Sequence, residues 1–98
     1  MNTRVSGRGG SMYVIIVYDI EEKRVARVCK FLRQYLHWVQ NSVFEGELTD
    51  GKLAELQTGL RKRIKPDKDS VLFYKMQSAY DFEKETMGVE KLSIDTIL

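Results

Sequence analysis

An α+β fold, an antiparallel sheet carrying two helices on one face, is what this sequence predicts. Three observations predict it. Met12–Tyr18 (MYVIIVY) is a β-branched and aromatic run of the kind that fills a buried strand. Two later segments carry apolar residues at helical spacing. The segments follow one another in the order strand, helix, strand, strand, helix, strand. That order is the split βαβ, or ferredoxin-like, arrangement, with both helices packed on one sheet face.

Each element has its own justification. Met12–Tyr18 is apolar on both faces and is therefore placed centrally. Ile15, Val17 and Asp19 share one face, while Val14, Ile16 and Tyr18 share the other. A helix is expected from about Glu22 to Tyr35, with Val25, Val28, Cys29, Leu32 and Leu36 on its stripe. His37–Leu48 (HWVQNSVFEGEL) reads as a short strand, a tight turn near Asn41-Ser42 and a longer strand, with Gly46 as a bulge. A second helix runs from roughly Asp50 to Ile64 on the stripe Leu53, Leu56, Leu60 and Ile64, capped by Thr49 or Asp50. Pro66-Asp67 marks a turn, and Ser70–Met76 (SVLFYKM) is the next strand. From Gln77 to Leu98 the pattern is weaker, with short apolar pieces at 87–89 and 92–98.

At 98 residues the chain suits a single domain. Residues 1–11 are rich in Gly, Ser and Arg without periodicity, and they are set aside as a flexible leader or a cloning remnant. The domain then covers 12–98, with about 88–98 as a C-terminal docking segment. No apolar run approaches the ~20 residues that span a bilayer, so no membrane role is expected. One cysteine, Cys29, makes no internal disulfide, and an intracellular, cytoplasmic protein is expected. The formal charge is +2, but the leader holds two arginines and no acid. Without it, basic and acidic residues are equal at 14 each. A case for a polyanionic partner must rest on where charges sit.

Asp19 ends the apolar run and has two readings. Asp19-Ile-Glu-Glu22 has the spacing of a capping box. Alternatively its carboxylate is a ligand for Mg²⁺, which takes one or two protein carboxylates and keeps several waters. One aspartate per chain is thin for that, so this reading calls for two copies across a twofold axis. The sheet face without helices also needs a cover, which a homodimer would provide. Lys23, Arg24, Arg27, Lys30 and Arg33 lie on the first helix opposite its apolar stripe. Cations near a helix N-terminus oppose the dipole, so phosphate binding there competes with plain solvation. Arg61, Lys62, Arg63 and Lys65 end the second helix, where the dipole alone accounts for them. The single histidine, His37, reads as a strand-edge residue. No histidine or cysteine spacing suggests zinc.

Together these pieces resemble a known family. MYVIIVYDI, the basic helix, VQNSVFEG and DSVLFY look like the CRISPR-associated protein 2 family, over Met12 to about Met76. The ending IDTIL is similar too, and Met12 matches the family's usual start. The resemblance implies a ferredoxin-like homodimer whose last strand completes the partner's sheet. It implies a role in CRISPR adaptation, bridging the integrase, CRISPR-associated protein 1, around a short DNA duplex. Members are also described as Mg²⁺-dependent endonucleases on single-stranded RNA or double-stranded DNA. By resemblance Asp19 is the metal ligand, supplied by both protomers. Tyr18, Arg24, Arg27, Ser42 and Phe44 match positions associated with activity or nucleic-acid contact, and Lys30 joins them on the basic helix. Leu36-His37-Trp38 stands where family members often have Gly, which bears on the shape of that turn. The residues also fit plainer roles: Phe44 as core, Ser42 as a turn former, Tyr18 as packing under a helix. A metal-dependent nuclease and a small regulatory dimer are the rival functions to a DNA-binding adaptor.

Overall fold

The computed structural model describes residues 10–76 and 82–89, with backbone alone for 82–84. Most of the expected leader, and the C-terminal docking segment from residue 90 onward, lie outside the described residues. The elements are β1 (Ser11–Asp19), α1 (Glu22–Leu32), β2 (His37–Gln40), β3 (Val43–Thr49), α2 (Asp50–Arg61), β4 (Ser70–Met76) and β5 (Phe82–Gly88). They build one antiparallel sheet in the order β2-β3-β1-β4-β5. The first six elements are the predicted βαββαβ. β5, which the sequence pattern left unassigned, pairs with β4 along its length.

Strand β1 is central because both of its faces are apolar. Met12, Val14, Ile16 and Tyr18 join Val28, Leu32, Phe44, Leu56, Leu60 and Phe73 in the core beneath the helices. On the second face Val17, Val43, Leu72 and Tyr74 form a smaller cluster with Ile15 against it. These four are buried.

Local details depart from expectation in three places. α1 ends at Leu32, three residues short of the predicted Tyr35. Leu36 still packs into the core, its N–H reaching the Leu32 carbonyl at 2.9 Å. α2 likewise ends at Arg61, while Ile64 stays buried just beyond it. The bulge is not at Gly46, which pairs regularly with Val14. The register shifts instead between Trp38 and Gln40. Gly46 is small because Leu36 lies where its side chain would go, 3.1 Å from an added Cβ. The tight turn is where it was expected. Asn41 adopts φ 44°, a left-handed conformation that Asn tolerates in two-residue hairpin loops. Thr49 caps α2, its Oγ1 accepting the Lys52 N–H at 3.1 Å.

Candidate functional site

β1 delivers Asp19 to the sheet's second face and Tyr18 to the helix face, since neighbouring strand residues point oppositely. Asp19 is half-buried. The cap position of α1 is Glu21 and not Asp19, and the Glu21 side chain makes no cap hydrogen bond. Directly across on β4 lies Ser70. Opposed residues leave the sheet on the same face with Cβ atoms about 4.5–5.5 Å apart. Ser70 is fully buried, and its Oγ has no hydrogen-bond partner among the described residues.

Just before β4, Asp69 is a fully buried carboxylate that fastens three parts of the chain. Its Oδ2 accepts from Arg24 Nε at 2.7 Å and from the Lys65 N–H at 2.8 Å. Its Oδ1 accepts from Arg24 Nη2 at 2.9 Å and from the Glu21 N–H at 3.0 Å. The Arg24 guanidinium, followed by the two backbone N–H groups, outweighs burial and holds the Asp69 carboxyl well below the usual carboxylate range. Arg24 also meets Glu21 Oε1 at 2.8 Å. The clamp therefore ties the β1–α1 connection, which starts beside Asp19, to the start of β4.

The candidate residues separate into distinct environments. Arg24 is committed to Asp69, with 12% of its side chain exposed. Tyr18 is core, its hydroxyl 3.1 Å from Cys29 Sγ and 3.4 Å from the Asn41 carbonyl. Burial first, and then the Cys29 contact, push its phenol well above the usual range, so the hydroxyl stays protonated. Phe44 is fully buried with its ring 5.9 Å from that of Tyr18. Ser42 is half-buried, and its carbonyl accepts the Tyr18 N–H at 3.0 Å. Arg27 and Lys30 are exposed on α1. Arg27 faces a cleft of about 420 Å³ that it shares with Lys62 and Arg63. Arg63 is held there by Nη1 donating to the Gly59 carbonyl at 2.9 Å and by stacking 4.1 Å over the Phe31 ring.

Sequence reasoning quoted Asp69 within DSVLFY but gave it no role; its signal is an acid immediately before an apolar strand. It also treated the α2 cations as a helix-end feature, whereas packing of α1 on α2 brings two of them to Arg27. Among the described residues no group of three His, Cys, Asp or Glu side chains converges as a metal site. Asp19, a half-buried carboxylate at the end of β1, is nevertheless of the hard-oxygen type that a divalent cation such as Mg²⁺ takes one or two of. Among the described residues no helix is long and apolar enough to cross a membrane.

Comparison with known proteins bears on this arrangement. The family model for CRISPR associated protein Cas2 matches residues 12–84. The chain belongs to the Cas2 family. A relative from Archaeoglobus fulgidus, named CRISPR-associated endoribonuclease Cas2 2, is 54% identical over 82% of this chain and 87% of its own. The CRISPR-associated endoribonuclease Cas2 of Thermococcus kodakarensis is 52% identical over 89% of this chain and all of its own. A solved structure titled "Crystal structure of cas2" superposes with a TM-score of 0.68 at 42% identity, over 86% of this chain and 97% of that one. The Cas2 match spans β1 through the first residues of β5, and so includes Asp19, the Asp69 clamp and the basic cleft.

Proposed function

We propose that this Cas2 protein is a homodimeric nucleic-acid-binding component of CRISPR adaptation that bridges the integrase around a DNA duplex. The observation that carries this reading is the convergence of Arg27 from α1 with Lys62 and Arg63, which directly follow α2, on one exposed cleft. Three cations on a nearly neutral chain suit a phosphate backbone, held by charge without base readout. A homodimer doubles that surface. It is supported further by β2, an outer strand of the sheet among the described residues, which presents the exposed Trp38 and Val39.

The test is duplex binding by Arg27→Glu/Lys62→Glu. Affinity should fall, and the slope of log K against log salt should shrink by about 0.9 for each phosphate that is no longer neutralised. A full wild-type slope would remove the cleft as the binding surface.

A second reading, a Mg²⁺-dependent endonuclease on RNA or duplex DNA, draws support from the names of the relatives and from the half-buried Asp19 carboxylate. Asp19 of both protomers would hold the ion, which when bound supplies charge neutralisation and an activated water at a phosphodiester. The chain's own part is positional: β1, fixed between β3 and β4, presents the carboxylate at a defined point of the second face. Asp19→Ala should abolish metal-dependent cleavage and leave duplex affinity intact. Cleavage that persists in this variant would exclude Asp19 as the ligand.

A further inference from the structure

Trp38 is the only tryptophan of the chain, and 53% of it is exposed. A single apolar residue at a surface is ordinary; what surrounds this one is not. It pairs with Phe44 across β2 and β3, so it leaves the sheet on the helix face, from an outer strand. Its indole N–H donates to the Asn41 carbonyl at 3.0 Å, and the Tyr18 hydroxyl donates to the same carbonyl at 3.4 Å. The polar edge of the ring is therefore spent on the hairpin, and the ring is held in place. What it offers a visitor is a flat apolar face, which suits another ring better than a hydrogen-bonding group.

Cations lead to this face. The Tyr18 hydroxyl also lies 3.1 Å from Cys29 Sγ, which sets the Cys29 flank of α1 against the Trp38 hairpin. Arg33, one turn beyond Cys29, shares that flank and acts as a charge on the Tyr18 phenol. Arg27 lies on the other flank, at the cleft with Lys62 and Arg63. Lys30 stands between them. Each step of three residues falls about 60° short of a full turn. Arg27, Lys30 and Arg33 therefore cross the outer face of α1 obliquely, over about 9 Å of its axis. All three are exposed, and among the described residues none of them makes an ion pair. A strand of nucleic acid whose phosphates follow these cations from the cleft arrives at the indole.

We propose that Trp38 is a stacking platform for an unpaired nucleobase, at the end of a cation path that runs from the cleft over α1. This rests on the nucleic-acid reading of the cleft and adds a feature of the substrate to it: a duplex whose end is splayed or single-stranded. Stacking reads no sequence, because every base has a flat face. Pairing of β2 with a second copy would not compete for the ring. An edge strand pairs through its backbone groups, and the indole stands roughly perpendicular to the sheet.

The test uses the full chain and two probes, a blunt duplex and the same duplex carrying unpaired thymidine ends. Trp38 emission reports its own site, since the chain has no other indole. The splayed duplex should quench that emission and the blunt one should not. Trp38→Ala should bind the splayed duplex about tenfold more weakly, the scale of one lost stacked base, and Trp38→Phe should recover part of the loss. Affinity for the blunt duplex should stay level in both. Arg27→Glu/Lys62→Glu should weaken binding of both probes. If it does so while neither probe changes wild-type emission, or both change it equally, the proposal is overturned and the nucleic-acid reading stands. If wild type binds neither probe, both fall. Weakened self-association of Trp38→Ala in light scattering, with equal affinity for the two probes, would mark the indole as a contact between copies and overturn the proposal. If that variant fails to fold, wild-type quenching and Trp38→Phe decide.

Discussion

Asp69→Asn tests the clamp at its centre. The substitution keeps the shape of the side chain and removes its charge. Four donors converge on two oxygens: Arg24 Nε and the Lys65 N–H on one, Arg24 Nη2 and the Glu21 N–H on the other. Asparagine supplies one oxygen, so two donors must face its NH₂ group. Each buried group left unsatisfied costs about 1–3 kcal/mol. Breaking a buried ion pair from one side costs about 3–5 kcal/mol. The two routes agree on a loss of about 3–5 kcal/mol, a large share of the roughly 5–15 kcal/mol that holds a domain together. For a domain of this size the melting temperature should fall by about 12 °C or more. Urea unfolding followed by circular dichroism reads the change, with the m-value unchanged if the folded and unfolded states keep their compactness. A loss below about 1 kcal/mol would refute the clamp, because the carboxylate charge would not then be what holds the β1–α1 connection to β4.

Three further predictions concern other features. Asp69 has its folded pKa depressed chiefly by Arg24, so its contribution is complete above the unfolded carboxylate value near pH 4 and is lost as pH falls toward the folded value. The urea midpoint should therefore drop below about pH 4 in the wild type, and Asp69→Asn should flatten that drop; parallel curves would contradict the assignment. Arg24→Gln should lower the unfolding midpoint yet leave duplex affinity and its salt slope unchanged at temperatures where the protein is folded, because the guanidinium faces Asp69; fluorescence anisotropy across a salt series decides. Gly59→Ala should destabilise by about 1–3 kcal/mol through overpacking, despite the gain of about 1 kcal/mol expected for alanine in a helix, since its methyl would overlap the Phe31 ring; a variant with a raised melting temperature would refute the packing.

What was legible in the sequence was whatever depends on local periodicity. The alternating faces of β1, the stripes Val28–Leu32 and Leu53–Leu56–Leu60, the Asn41-Ser42 turn and the Thr49 cap follow from spacing and turn chemistry, and the fold follows from their order. The partners of charged side chains were not legible. Arg24 and Arg27 sit three residues apart on one helix, yet one is drawn inward to Asp69, 45 residues away, and the other remains exposed. No local pattern distinguishes them, because the difference arises only when the β4 approach packs against α1. β5 escaped notice for a related reason. Its FEKETMG sequence is rich in charge with Thr86 its one β-branched residue, and its strand character comes from the edge of β4 that it meets. Of the candidate site, the position of Asp19 could be read from the end of the apolar run, while its neighbour Ser70 emerges only from strand register.

That register carries a consequence for how the molecule tolerates error. Strand β1 is laced to β3 on one flank and to β4 on the other, and its last two residues have opposite characters. Sliding it by a single position would exchange the outlooks of Tyr18 and Asp19, driving an anion under the helices and turning a phenol out toward the opposite surface. Neither neighbour could follow without misaligning its own side chains. The double lacing thus sets a condition on threading: a chain with β1 shifted by one residue would carry its carboxylate on the wrong side of the sheet.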